Sequence, residues 1–149
     1  MSRVPVEDRL DIQEVGARYA FRCDTKRYDR VGELFTDDGV FDETVVGLPR
    51  CQTRAAIHEF FSGMAQSDLE FIIHINSNHQ LTAFDGDTAS GTSHLHAEGH
   101  FNGNDIRILG YYSDDYAKVE GRWLLRKRLL VEIAPSTGFV LGGGAEAHP

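Results

Sequence analysis

The chain predicts an α+β domain: a curved antiparallel sheet packed on three N-terminal helices. Three observations carry this. The first third repeats its apolar residues at helical spacing, the second half runs in long β-rich segments, and Gly-containing turns separate those segments. With 149 residues, the chain has the length of one domain and can bury about two-thirds of its unfolded surface.

Leu10, Ile12, Val15, Tyr19, Ala20 and Cys23 recur every three or four positions among charged residues, which predicts one amphipathic helix over roughly 7–24. Tyr28, Val31, Leu34 and Phe35 predict a second, short helix, stopped by the turn residues Thr36-Asp37-Asp38-Gly39. A short strand is expected from Val40 to Val46 and is broken by Gly47-Leu48-Pro49. Thr53 suits an N-cap for a third helix from Arg54 to about Ala65. Four strands follow, over Leu69–Phe84, Thr88–Phe101, Ile106–Val119 and Trp123–Ile133. Their turns, Asp85-Gly86-Asp87, Asn102-Gly103-Asn104 and Glu120-Gly121-Arg122, spell an antiparallel meander. Strands of this length bend, so bulges are expected, each shifting the face assignment by one. The domain is placed at 1–141, with 142–149, opening on Gly142-Gly143-Gly144, as a loose tail.

Fifteen basic side chains against twenty-three acidic ones give a net charge of −8. That argues against a duplex nucleic-acid binder, which needs a basic excess to neutralise phosphates, and it disfavours anionic membrane surfaces. No apolar run approaches a bilayer span, and the N-terminus has no secretory pattern. Cys23 and Cys51 have no CxxC spacing and are expected as free thiols of a cytoplasmic protein. No GxGxxG, phosphate loop, GxSxG elbow or HExxH occurs.

His74 interrupts an apolar strand and must either find a hydrogen-bond partner in the core or belong to a site. Asp24 closes the first helix, where a lone carboxylate is a cap, a surface charge or a functional group. Tyr19 precedes it by five residues, about 140° of helical rotation, so spacing alone does not bring the two together. His94, His96, Glu98 and His100 alternate along one strand and share a face. That face is expected to be polar or cavity-lining, with His94 and His96 as candidate substrate contacts. A metal site is the alternative, although residues about 7 Å apart let two of them share an ion and not four. In Arg126-Lys127-Arg128 one face can look inward, where a guanidinium would need an anionic partner or ligand.

The ordered set of fragments resembles the SnoaL-like branch of the nuclear transport factor 2-like (cystatin-like) cone folds. They are Ile12-Gln13-Glu14-Val15 with Tyr19 and Asp24, Leu34-Phe35-Thr36-Asp37-Asp38-Gly39-Val40-Phe41, Arg54-Ala55-Ala56-Ile57, His74-Ile75-Asn76-Ser77-Asn78, Asp87-Thr88-Ala89, Tyr112-Ser113-Asp114-Asp115-Tyr116, and Gly121-Arg122-Trp123 with Arg128. The resemblance implies a cone with one deep, mostly apolar pocket, and homodimers or homotrimers through the sheet. It implies lyase or isomerase activity like that of scytalone dehydratase, bile-acid dehydratases and lindane dehydrochlorinase. A small hydrophobic cyclic, steroid-like or polyketide-like molecule would be turned over without a cofactor or metal. Carried over residue by residue, it selects Asp24 and His74 as the general base, with Tyr19 and Arg128 beside them. Tyr19 follows the dehydratases; the dehydrochlorinase has lysine there. Phe41, Phe61 and Tyr112 are candidates for the apolar lining. The fold also serves non-catalytic roles, including ligand-binding modules and the small subunit of ring-hydroxylating oxygenases.

Overall fold

The computed structural model describes residues 3–137; the expected tail and the domain's end at 141 lie outside them. Helix α1 spans Val6–Asp24, with Glu7 and Asp8 in its first turn, where negative charge suits the positive end of the helix dipole. Ile12, Val15, Tyr19, Ala20 and Cys23 form its buried stripe, as the periodicity predicts. Asp8 pins the helix start to the sheet, accepting hydrogen bonds from Trp123 Nε1 and Lys118 Nζ, both at 2.9 Å. At the other end Lys26 takes a left-handed φ of 59°, and the Arg27 amide donates back to the Arg22 carbonyl at 2.8 Å. The chain therefore turns away sharply and leaves Asp24 at the helix tip.

The second expected helix is two 3-10 turns, Tyr28–Arg30 and Gly32–Leu34. Strand β1 then runs Phe35–Asp42, five residues ahead of its expected start. The reason is local: Thr36-Asp37-Asp38-Gly39 makes a bulge inside the strand instead of a reversal, and the register against the last strand shifts between Phe35 and Val40. Gly39 is required there, because a Cβ would stand 2.9 Å from the Thr36 carbonyl oxygen. Asp42 stops the strand early by accepting from the Thr44 amide at 3.1 Å and its hydroxyl at 2.8 Å. Thr44–Val46, expected as strand, is a 3-10 turn. A short strand β2, Arg50–Gln52, pairs antiparallel with β1 and has no sequence signal beyond its three residues. Thr53 caps helix α2, Arg54–Met64, by accepting from the Ala56 amide at 3.2 Å.

Strands β3 (Leu69–Asp85), β4 (Thr88–Phe101), β5 (Asn104–Val119) and β6 (Arg122–Glu132) form the predicted meander. In two of its turns, Asn102-Gly103 and Glu120-Gly121, both residues have positive φ, the geometry that matches the twist of a tight hairpin. The six-stranded sheet has the order β2-β1-β6-β5-β4-β3. It is antiparallel except that β1 lies parallel to β6. The expected bulges occur within β3, near Ser77 and Leu81, and between β5 and β6 at Asp115. Helix α1 packs on β3 and β6, and α2 on β1, so the apolar core fills the space between helices and sheet. No helix of the described residues is long and apolar enough to cross a membrane.

Candidate active site

Strand β3 is an edge strand, so one row of its main-chain groups has no neighbouring strand to bond. The tip of α1 supplies partners. Asp24 Oδ2 accepts the His74 amide at 3.1 Å, and Asp24 Oδ1 meets His74 Nδ1 at 2.6 Å. The alternation of β3 turns His74 inward between the outward-facing Ile73 and Ile75. Because a carboxylate only accepts, Nδ1 carries the proton and Nε2 of the neutral ring keeps its lone pair. Nε2 has no hydrogen-bond partner among the described residues.

The imidazole separates two spaces. On one side is a small, largely apolar cavity of about 30 Å³, walled by Tyr19, Cys23, Tyr28, Glu43, Phe60, Phe61, Met64 and Ile108 among others. That is room for about one water molecule. On the other side an open groove of about 570 Å³ runs between α1 and β3, past Asp24, Asn76, His79, Ser93 and Arg128. The single deep pocket implied by the resemblance is thus divided by His74. At that volume a ring-sized ligand needs side chains of the wall to move.

Glu43, at the end of β1, is 4% exposed and accepts a hydrogen bond from the Tyr19 hydroxyl at 3.2 Å. Burial pushes its carboxyl above the ordinary carboxylate range; His74, Arg128 and Tyr19 pull the other way and offset that only in part. Burial likewise pushes the Tyr19 and Tyr112 hydroxyls well up, so both stay protonated. The Cys23 thiol in the same wall is pushed up by burial too and is inert as a nucleophile.

Arg128 is buried with Asp114 in a bidentate pair, donating from Nε at 3.0 Å and Nη2 at 2.8 Å. Its guanidinium lies over Tyr112 at 3.9 Å and over Tyr19 at 4.5 Å from the ring centroids. Burial opposes its charge, but Asp114 outweighs that and holds its pKa above the usual arginine value. Three buried polar atoms beside this pair, Arg128 Nη1, Asn76 Oδ1 and His79 Nδ1, have no protein partner. All three residues line the groove.

A SnoaL-like domain model matches residues 4–129, nearly the whole described chain. The chain belongs to the SnoaL-like family. Among solved structures it is similar to a protein designated an aromatic ring hydroxylase from Novosphingobium aromaticivorans, at 30% identity over 92% of this chain and 96% of that one, with a TM-score of 0.85. It is similar to one designated a scytalone dehydratase from the same organism, at 18% identity over 97% and 95%, TM-score 0.79. It is also similar to a hexachlorocyclohexane dehydrochlorinase (LinA), at 16% identity over 96% and 97%, TM-score 0.78. The last two likenesses are to the fold. No curated protein matches the chain significantly.

Within this SnoaL-like fold, the residues the sequence nominated fall into two groups. Tyr19 packs edge-on to His74 with ring centroids 6.0 Å apart, so it joins the site through His74 and not through Asp24. Phe61 lines the inner cavity; Phe41 stands behind it at 5.1 Å as support; Tyr112 stacks on Arg128. His94 and His96 are corrections. They share a face with Glu98 and His100 as predicted, but it is the outer face of the sheet, because Leu95, Ala97 and Gly99 between them take the inward positions. His94 Nδ1 meets Asn78 Nδ2 at 3.0 Å in an exposed pair, and His96 faces Glu98 at 3.5 Å, both exposed. Neither histidine lines the cavity or the groove. The described residues contain no cluster of three or more His, Cys, Asp or Glu side chains placed to hold a metal ion. Sequence reasoning missed Glu43 and Asp114. Asp114 lies opposite Arg128 across β5 and β6, a register that a meander count from Glu120-Gly121 would give if the bulge at Asp115 were known.

Proposed function

We propose that the protein is a cofactor-independent lyase or isomerase of the dehydratase type, acting on a small hydrophobic cyclic or polyketide-like compound. The observation that carries this reading is the Asp24–His74 contact of 2.6 Å, with the unengaged Nε2 of the same ring beside an apolar cavity. Asp24 holds the proton on Nδ1 and stabilises the imidazolium that forms as Nε2 removes a proton from a carbon next to a carbonyl. Tyr19, kept protonated by its surroundings, donates to the oxygen on which charge develops. Arg128, on the groove side with its charge matched by Asp114, supports the site by stacking over the Tyr19 ring at 4.5 Å. A cyclic β-hydroxy ketone, 3-hydroxycyclohexanone, tests the reading: its dehydration gives a conjugated enone followed by ultraviolet absorbance. His74→Ala and Asp24→Ala should each slow wild-type turnover by about 10²–10⁴. Unchanged rates in both would remove the base from the mechanism.

The similarity at 30% identity to a protein designated an aromatic ring hydroxylase supports a second reading. In it the domain is an assembly subunit of such an enzyme. Co-purification with a larger iron–sulfur subunit, together with full tolerance of His74→Ala, would favour this reading over the first.

A further inference from the structure

Glu43 is the buried titratable group that the base mechanism leaves unused. Its main chain is already secured, since its carbonyl accepts from the Val46 amide at 3.1 Å and the Leu48 amide at 3.3 Å. The turn that follows is capped by Asp42, not by Glu43. The carboxyl is therefore not needed to build the loop. It projects instead into the wall of the cavity that also holds His74 and Tyr19.

The groups facing it are few. From α1 come Tyr19, hydrogen-bonded at 3.2 Å, and the Cys23 thiol. From β5 comes the Tyr112 hydroxyl, which is buried and has no hydrogen-bond partner of sound geometry. From β6 comes Arg128, already matched by Asp114, and from β3 comes His74. A carboxylate there would have the Tyr19 hydrogen bond, a weaker approach from the Tyr112 hydroxyl and no cation of its own, which is costly in a buried site. Burial favours a neutral carboxyl there, against the charges of His74 and Arg128, which favour ionisation.

We propose that Glu43 is the acid partner of His74: across the shared cavity, one takes the proton from carbon and the other delivers a proton to the departing hydroxyl. The proposal rests on the Asp24–His74 base and extends it by assigning dehydration of β-hydroxy carbonyl compounds. His74 Nε2 takes the proton next to the carbonyl, and the C–H electron pair becomes the new C=C bond. The C–O bond breaks with its pair on oxygen, which takes the Glu43 proton and leaves as water. The site is left as an imidazolium facing a carboxylate, a pair whose attraction the low dielectric strengthens. Return of the proton from His74 to Glu43 through the released water restores the starting state.

The test compares two leaving groups that differ in their need for a proton, using 3-hydroxycyclohexanone and 3-chlorocyclohexanone with wild-type protein and Glu43→Gln. Glutamine keeps the size and the acceptor for Tyr19 but has no acid proton to give. Turnover of the hydroxy ketone should fall by about a hundredfold or more, while loss of chloride, which needs no acid, should stay near the wild-type rate. The wild-type hydroxy-ketone rate should also fall as pH rises and Glu43 ionises, and the chloro ketone should lack that limb. Equal losses on both ketones would make Glu43 structural and overturn the proposal, with the base reading left standing through His74→Ala. Wild-type protein that turns over neither ketone would overturn both readings.

Discussion

Asp24 holds His74 at two points, the main-chain amide at 3.1 Å and the ring Nδ1 at 2.6 Å, across fifty residues of chain. The first contact fixes the edge strand against the helix tip, and the second fixes the tautomer. Asparagine in place of Asp24 can preserve the first and invert the second: its amide N–H bonds an unprotonated Nδ1 and moves the ring proton to Nε2. Asp24→Asn should therefore fold, lower kcat by about 10²–10⁴, and leave KM almost unchanged. Nitrogen-15 NMR of His74 provides a readout without substrate. The proton should move from Nδ1 to Nε2, and an unaltered tautomer in an inactive variant would contradict the account.

Arg128 and Asp114 are 1% and 0% exposed in their side chains. Removing one partner leaves the other charged and buried, at a cost of about 3–5 kcal/mol. Asp114→Asn should accordingly destabilise far more than a surface change, as read by urea denaturation. Arg128→Lys should also fail, because an ammonium gives neither the bidentate fork nor the stacking on Tyr19 and Tyr112. The double replacement Asp114→Leu with Arg128→Met should recover much of the loss, and a strictly additive double would refute the coupling.

What the sequence revealed divides along a physical line. Period-3.6 and period-2 patterning are local, so α1, α2 and the four-strand meander were legible, as were the hairpin turns at Gly103 and Gly121. The family resemblance joined Asp24 to His74, which no spacing argument could do, since the pairing depends on the helix tip reaching an edge strand. The boundary of β1 was hidden because Thr36-Asp37-Asp38-Gly39 is turn chemistry used within a strand. Period two puts His94 and His96 on one shared face, but periodicity does not say which face of a sheet looks inward. Glu43 gave no signal, being one acid in an acidic stretch, and only the Asp42 cap turns it inward.

Phe61 is the keystone of the cavity wall, edge-on to Tyr19 at 6.0 Å and to Phe41 and Phe60 at 5.1 Å. Phe61→Ala should cost about 3–5 kcal/mol and open an apolar void where only about 30 Å³ now exists. An apolar void of engineered size binds small hydrocarbons. Benzene should therefore raise the thermal midpoint of Phe61→Ala by mass action, and by more than it raises that of wild type, where the wall must first move. Equal responses of the two proteins would mean that Phe61 does not limit the entry of ring-sized guests.

Glu43 also links folding to pH. Burial raises its carboxyl pKa in the folded chain above the unfolded value. Its contribution is therefore fully present below the ordinary carboxylate range and is lost as pH rises through the folded pKa. Glutamine does not titrate. Glu43→Gln should accordingly be more stable than wild type on the alkaline side of that transition, and the advantage should close on acidification. His79, which burial shifts downward, has the opposite sign and is common to both proteins, so it cancels in the difference. Parallel urea titrations across the pH range measure that difference directly; a flat result would mean that Glu43 titrates alike in the folded and unfolded chains.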